Sequence, residues 1–124
     1  MRNIQLCRVY EPPSSKKGVW LLVDRLWPRG LKKEALAFDV WLKDIAPSPS
    51  LRTWFNHDPD KWVEFADKYI NELKDKSELI THILEKAQNS DLVLFYAAKD
   101  KQHNHARVLK AVLESWPKRP EFKE

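Results

Sequence analysis

Cysteine and glycine are almost missing from this chain. Cys7 is the only cysteine in 124 residues, so no disulfide can close within it. A multi-cysteine metal centre is excluded for the same reason, and a reducing, cytoplasmic setting is the default expectation. Cys7 sits between Leu6 and Arg8 in a strand-like stretch and reads as a small buried side chain rather than a nucleophile. Only Gly18 and Gly30 are available, so neither the dinucleotide-binding fingerprint nor the Walker phosphate loop can be built. No apolar run is long enough to span a bilayer, and Met1 to Gln5 is strand-like and lacks a signal-peptide core, so no membrane partner is expected. Internal repeats, low-complexity segments and long linkers are also lacking. A strong charge of one sign is missing too: Lys and Arg number 22 against 18 Asp and Glu, a net of +4. That excess suits an anionic ligand but serves solubility equally well.

The length fits one domain with one core, and 43% hydrophobic with 32% charged residues is an ordinary globular composition. Two apolar runs stand out, Val19 to Val23 and Leu92 to Ala98, each reading as a strand buried on both faces. Ile4 to Tyr10 alternates weakly and reads as a strand, at an edge. Glu11 to Gly18 is a polar, proline-led loop. Leu31 to Leu36 holds good helix formers and predicts one or two helical turns. Phe38 to Ile45 fits either period, with strand slightly favoured. Ser48-Pro49 opens a short helix and Asp58-Pro59 a longer one, each pairing a capping side chain with a proline at the first helical position. Trp62, Phe65, Ala66, Tyr69, Ile70 and Leu73 then form an apolar stripe at helical spacing. Ser77 is the expected cap of a third helix with Leu79, Ile80, Ile83, Leu84 and Ala87 facing inward. Asp100 is the expected cap of a last helix that buries Ala106, Leu109, Val112, Leu113 and Trp116, and Pro117 stops it. Strands alternating with helices predict an α/β fold: residues 1–117 as one compact domain with a small, mostly parallel sheet of three to four strands flanked by helices, and 118–124 as a charged, frayed tail.

The chemistry-bearing residues gather where the two apolar runs end. The first delivers Asp24, Arg25, Trp27 and Arg29; the second delivers Tyr96, Lys99, Asp100, His103 and Asn104. In open α/β sheets ligands bind outside the carboxyl ends of strands, and a helix start there offers free amides to an anion. If the runs are parallel neighbours, Arg25, Arg29 and Lys99 would hold an anionic group, with Asn104 beside them. Trp27 or Tyr96 would stack on a ring, and Asp24 or His103 would serve as general acid or base. The structural alternative is that Asp24 pairs with Arg25 or Arg29 and Asp100 merely caps. No metal or cofactor is expected: His103 and His105, two apart on a helix, would point to opposite sides, and His57 has one acid nearby. Ser48 with His103 and an aspartate has the residue types of a nucleophilic triad, but Ser48 before Pro49 is better explained as a cap.

The stretch Val23-Asp24-Arg25-Leu26-Trp27-Pro28-Arg29-Gly30, with Tyr96-Ala97-Ala98-Lys99-Asp100 and His103-Asn104, resembles the DUF488 family, YeaO-like branch. The likeness extends through Arg8 to Glu11, Ala46 to Ser48, Trp54-Phe55, His57 to Pro59 and Phe65 to Leu73. It implies a small cytoplasmic α/β protein of bacterial or archaeal type and no particular activity. Longer relatives carry cysteines near the positions of Tyr96 and Asn104; this sequence has neither, which argues against thiol chemistry. Two functions follow. One is an enzyme or binder of a small anionic, ring-containing ligand such as a nucleotide or nucleoside derivative. The other is a nucleic-acid or protein interaction module. The second needs several exposed aromatics, but Trp20, Trp41, Trp54, Trp62 and Trp116 fall on apolar faces, leaving only Trp27 beside arginines in a turn. The small ligand is therefore the preferred partner.

Overall fold

The computed structural model describes residues 3–122; Met1, Arg2 and the last two residues of the tail lie outside the described residues. Four strands, β1 (Ile4–Arg8), β2 (Val19–Leu22), β3 (Val40–Trp41) and β4 (Leu92–Tyr96), form one parallel sheet in the order β1-β4-β2-β3. The two apolar runs are adjacent parallel strands, with Val19 opposite Leu92 and Leu22 opposite Phe95. β1 lies at an edge, as its weak alternation predicts. Gly18 sets the entry to β2: its φ is +75°, and a Cβ there would collide with the Asp91 carbonyl that accepts from Val19 N–H.

Four helices accompany the sheet: α1 (Pro49–Phe55), α2 (Trp62–Lys74), α3 (Ser77–Ala87) and α4 (His105–Ser115). Their buried residues all pack with one face of the sheet, where Ile4, Leu21, Val23, Leu92 and Leu94 meet Phe65, Tyr69, Ile80, Ile83 and Leu109. The other face carries Val9, Trp20, Leu22, Val93 and Phe95. It is covered not by a helix but by the connection from β2 to β3, through Trp27, Leu31, Leu36 and Phe38. This corrects the helix expected at Leu31 to Leu36. That segment makes only a turn, with Ala35 N–H donating to Lys32 O at 3.0 Å. An isolated turn of helix is unstable, and laying Leu31, Leu36 and Phe38 on the sheet uses the same residues to cover its open face.

Smaller corrections follow from capping. Phe38 to Ile45 is neither a full strand nor a helix: a two-residue β3 is followed by a 3-10 turn at Lys43–Ile45. Ser48 accepts from Leu51 N–H and caps α1 as expected. Asp58 accepts from Asp60 N–H, opening a 3-10 turn at Pro59–Lys61 that leads into α2. Ser77 is the first residue of α3 rather than its cap, and no side chain caps that helix. α4 is capped by Asn104, not Asp100. Of the tail expected to fray, residues 118–122 are docked through Phe122, and Lys123 and Glu124 lie outside the described residues. Phe122 sits edge-on to Trp62 at 5.8 Å, and Arg119 bonds Asp67 and Asn71 on α2. Among the described residues no helix is long and apolar enough to cross a membrane.

Candidate functional site

Beyond β2 and β4 the backbone is stitched together by side chains. Val23 N–H still donates to Phe95 O at 3.1 Å. Asp24 Oδ2 then accepts from Ala97 N–H at 3.0 Å, tying the two strand ends. His105, the first residue of α4, places Nε2 3.0 Å from Val23 O and 3.1 Å from Asp24 Oδ1. Both neighbours are acceptors, so Nε2 carries the proton. Its N–H is directed to the carbonyl; the Asp24 contact is electrostatic, since Oδ1 is buried without a well-aligned donor. Trp41 Nε1–H donates to Asp24 O at 2.7 Å, and Trp27 Nε1–H to Leu31 O at 2.6 Å. Arg25 donates through Nε and Nη2 to Pro47 O and Ala46 O. Tyr10 hydroxyl donates to Arg29 O at 2.6 Å. The loop is thus fixed at five points, while Leu26 stands 62% exposed on it.

This loop, the β4–α4 junction and the end of α1 enclose a cleft of about 980 Å³, at the upper end of the range for small-molecule sites. Asp24, Arg25, Trp27, Arg29, Lys99 and His103 all line it, so the two junctions do converge. Arg29 and Lys99 are exposed there, and neither side chain has an ion pair or hydrogen bond among the described residues. Arg52, on α1, is in the same condition. The two acids of the cleft are occupied. Asp100 Oδ1 accepts from the amides of Gln102 and His103, and Oδ2 lies 2.8 Å from His103 Nδ1. Partial burial pushes the Asp100 carboxyl up, but the His103 ring and these two amides together bring it below its ordinary value. The His103 ring is also held edge-on by Trp62 at 5.4 Å.

The remaining expectations divide. Asp24 pairs with neither Arg25 nor Arg29; it pairs with His105. Arg25 is a brace, but onto carbonyls rather than onto an acid. Trp27 lines the cleft, yet its ring packs edge-on against Phe38 and Trp41 at 5.8 and 5.5 Å, as part of the second core. Tyr96 does not line the cleft: it is 3% exposed, and burial pushes its phenol up, with Lys101, Glu11 and Arg8 as its charged neighbours. Asn104 lines it but is 2% exposed, with Oδ1 spent on Arg107 N–H and Nδ2 on Asp100 O. Ser48 is spent on Leu51 N–H and on Glu72, to which its hydroxyl donates at 2.6 Å. His103 and His105 do not face opposite sides of a helix. His103 precedes α4, and both line the cleft. Among the described residues no three His, Cys, Asp or Glu side chains gather as a metal site.

Sequence reasoning missed His105 and the whole α1 side: Arg52, Thr53, Asn56 and His57. Only the positions of Arg52, Thr53 and Asn56 on the polar face of α1 could have suggested it.

Comparison with known proteins gives a family and no activity. The chain is 42% identical over 113 residues to the uncharacterized protein YeaO of Escherichia coli (strain K12), covering 91% of this chain and 98% of that one. It is 36% identical over 111 residues to the uncharacterized protein Rv3073c of Mycobacterium tuberculosis (strain H37Rv), covering 90% and 93%. The uncharacterized protein Mb3100c of Mycobacterium bovis matches to the same extent. No solved structure matches. A family model described as "Inactive DUF488-N3 subclade" matches residues 3–122, and the chain therefore belongs to the DUF488-N3i family.

Proposed function

We propose that the cleft binds a small, anionic, ring-containing ligand, of the nucleotide or nucleoside-derivative class, and that it binds without turning it over. The observation that carries this reading is the imbalance of free charge. Arg29, Lys99 and Arg52 bring unpaired cations to the cleft, while Asp24 and Asp100 are already engaged. A cation held in a partly dry cleft by a fixed loop recognises an anion better than the same charge scattered on the surface. Leu26, Pro28, Pro49 and Phe55 supply apolar wall for a ring. The family description "Inactive" favours binding over catalysis. Of the two residues considered for acid–base work, Asp24 is committed to the strand ends, and His103 is the one left with a ring nitrogen, Nε2, free to face a ligand.

The test is calorimetric titration of inorganic phosphate, mononucleotides and oligonucleotides into wild type and Arg29→Ala. Mononucleotide binding should weaken by about 1.5–3 kcal/mol in the variant, the range for a hydrogen bond to a charged group. Binding of long oligonucleotides alone, with a steep salt dependence, would replace this reading with a nucleic-acid interaction module. Failure of every anion to bind would remove both.

A further inference from the structure

We infer that the α1 side of the cleft, through Thr53, Asn56 and His57, reads the hydrogen-bonding edge of the ligand's ring, which makes the ring a nucleobase. The inference rests on the proposed function and adds the ligand's orientation and the residues that select it.

The first observation is the unspent hydrogen-bonding capacity of this wall. Thr53, Asn56 and His57 line the cleft and are exposed, and none of their side chains has a hydrogen bond, ion pair or ring contact among the described residues. The other amide of the cleft, Asn104, is buried and bonded at both Nδ2 and Oδ1. An Asn side chain presents a donor and an acceptor side by side, which matches the adjacent acceptor and donor of a base edge. A hydroxyl and an imidazole beside it can each donate or accept.

The second observation is in the backbone. Asn56 has φ +48° and His57 φ +53°, two successive left-handed residues, neither of them glycine. Asn56 is the C-cap of α1, where this conformation is common and its N–H donates to Arg52 O at 3.0 Å. His57 completes the same turn, in which Asp58 N–H donates to Phe55 O at 3.0 Å, although glycine would hold it with less strain. Strained non-glycine positions concentrate where their side chains are used, and this pair faces the cleft.

The third is electrostatic. The wall lies at the carboxyl end of α1, which carries the helix's partial negative charge. Arg52, in the last turn, offsets that charge, and the rest of the wall, Thr53, Asn56 and His57, holds no lysine, arginine or acid, which suits a polar ring edge better than a second anion. Arg29 and Lys99 stand instead on the loops after β2 and β4, and Lys99 leads into the start of α4. The ligand is therefore oriented with its anionic group toward those loops and its base edge toward α1.

The experiment is titration of AMP, GMP, CMP, UMP and inorganic phosphate into wild type, Asn56→Gly, His57→Gly and Thr53→Val, with thermal unfolding of each. Wild type should prefer one of the four nucleotides by tenfold or more. The glycine variants should unfold no earlier than wild type, because the left-handed turn is relaxed, yet lose at least tenfold in affinity for the preferred nucleotide and most of the discrimination. Phosphate affinity should stay unchanged. If a glycine variant does not fold, Thr53→Val decides, with the same loss of discrimination expected. Equal binding of all four nucleotides by wild type, or unchanged discrimination in the folded variants, overturns this inference and leaves the anion cleft standing. Failure of wild type to bind any nucleotide or phosphate overturns the cleft itself.

Discussion

Asp24 is the residue on which the site depends, and its surroundings say what it is for. One carboxylate oxygen holds the Ala97 amide and the other faces the His105 imidazole. Those two contacts fix the distance between the ends of β2 and β4 and the position of α4 against them. With a side chain only 15% exposed, Asp24 cannot hand these partners to water when it is removed. Asp24→Ala should therefore destabilise the protein by about 1.5–3 kcal/mol, the range for hydrogen bonds to a charged group. Urea denaturation should show the midpoint falling with an unchanged slope. A variant as stable as wild type would mean that the strand ends are held by backbone alone. This pairing was only half legible. An acid at the end of a buried strand could be read as a clamp or a site, but its partner lies at position 105, on another element. Local spacing pointed to the arginines next to it instead.

At the scale of elements, α2 shows what periodicity can and cannot give. Trp62, Phe65, Ala66, Tyr69, Ile70 and Leu73 are all buried, as their spacing requires. Trp62 has a further role that no pattern shows: its ring touches Phe55, Phe65, His103 and Phe122, so it joins α1, α2, the β4–α4 junction and the tail. Trp62→Ala should cost about 3–5 kcal/mol, as large-to-small core changes do, measured again by urea. A variant that unfolds with wild type would show that the stripe is not core. The same logic explains the failure at Leu31 to Leu36. Helix propensity there was real, but propensity is worth a fraction of a kcal/mol per residue. Covering Trp20 and Phe95 on the helix-free face of the sheet is worth more. Which face would lack helices is a property of the topology, and no single segment carries it.

For the whole molecule, the strand pairing and the convergence of two junctions on one cleft were legible, because buried parallel strands announce themselves and their ends lie side by side. The α1 wall was not, because it enters the cleft through tertiary placement alone. The same long-range closure governs the response to acid. Asp39 is held below its ordinary value first by the Lys16 ammonium and then by the Trp20 amide, with lengths of 2.8 Å each. Glu11 is lowered by Lys101, which joins the loop after β1 to the loop after β4. Asp100 is lowered as described above. All three pin loops rather than core. A carboxyl lowered in the folded state adds stability above its unfolded value, near pH 4, and loses it as pH falls through the lower folded value. Between these points the unfolded chain binds more protons, so stability must rise with pH there. Stability should accordingly stay level from pH 7 to about 5 as far as these acids are concerned, then fall steeply below about 4. The excess of positive charge, which grows as carboxylates are protonated, reinforces that fall. Each pair is exposed and contributes little alone, so more than one must be removed for the effect to be seen. Urea denaturation across pH 3–7 should show Asp39→Asn combined with Asp100→Asn to be less stable than wild type at pH 7 and nearly equal to it at pH 3. Parallel curves at every pH would mean that these carboxylates do not set the acid limit, and that the loops around the cleft are held by their packing on the sheet.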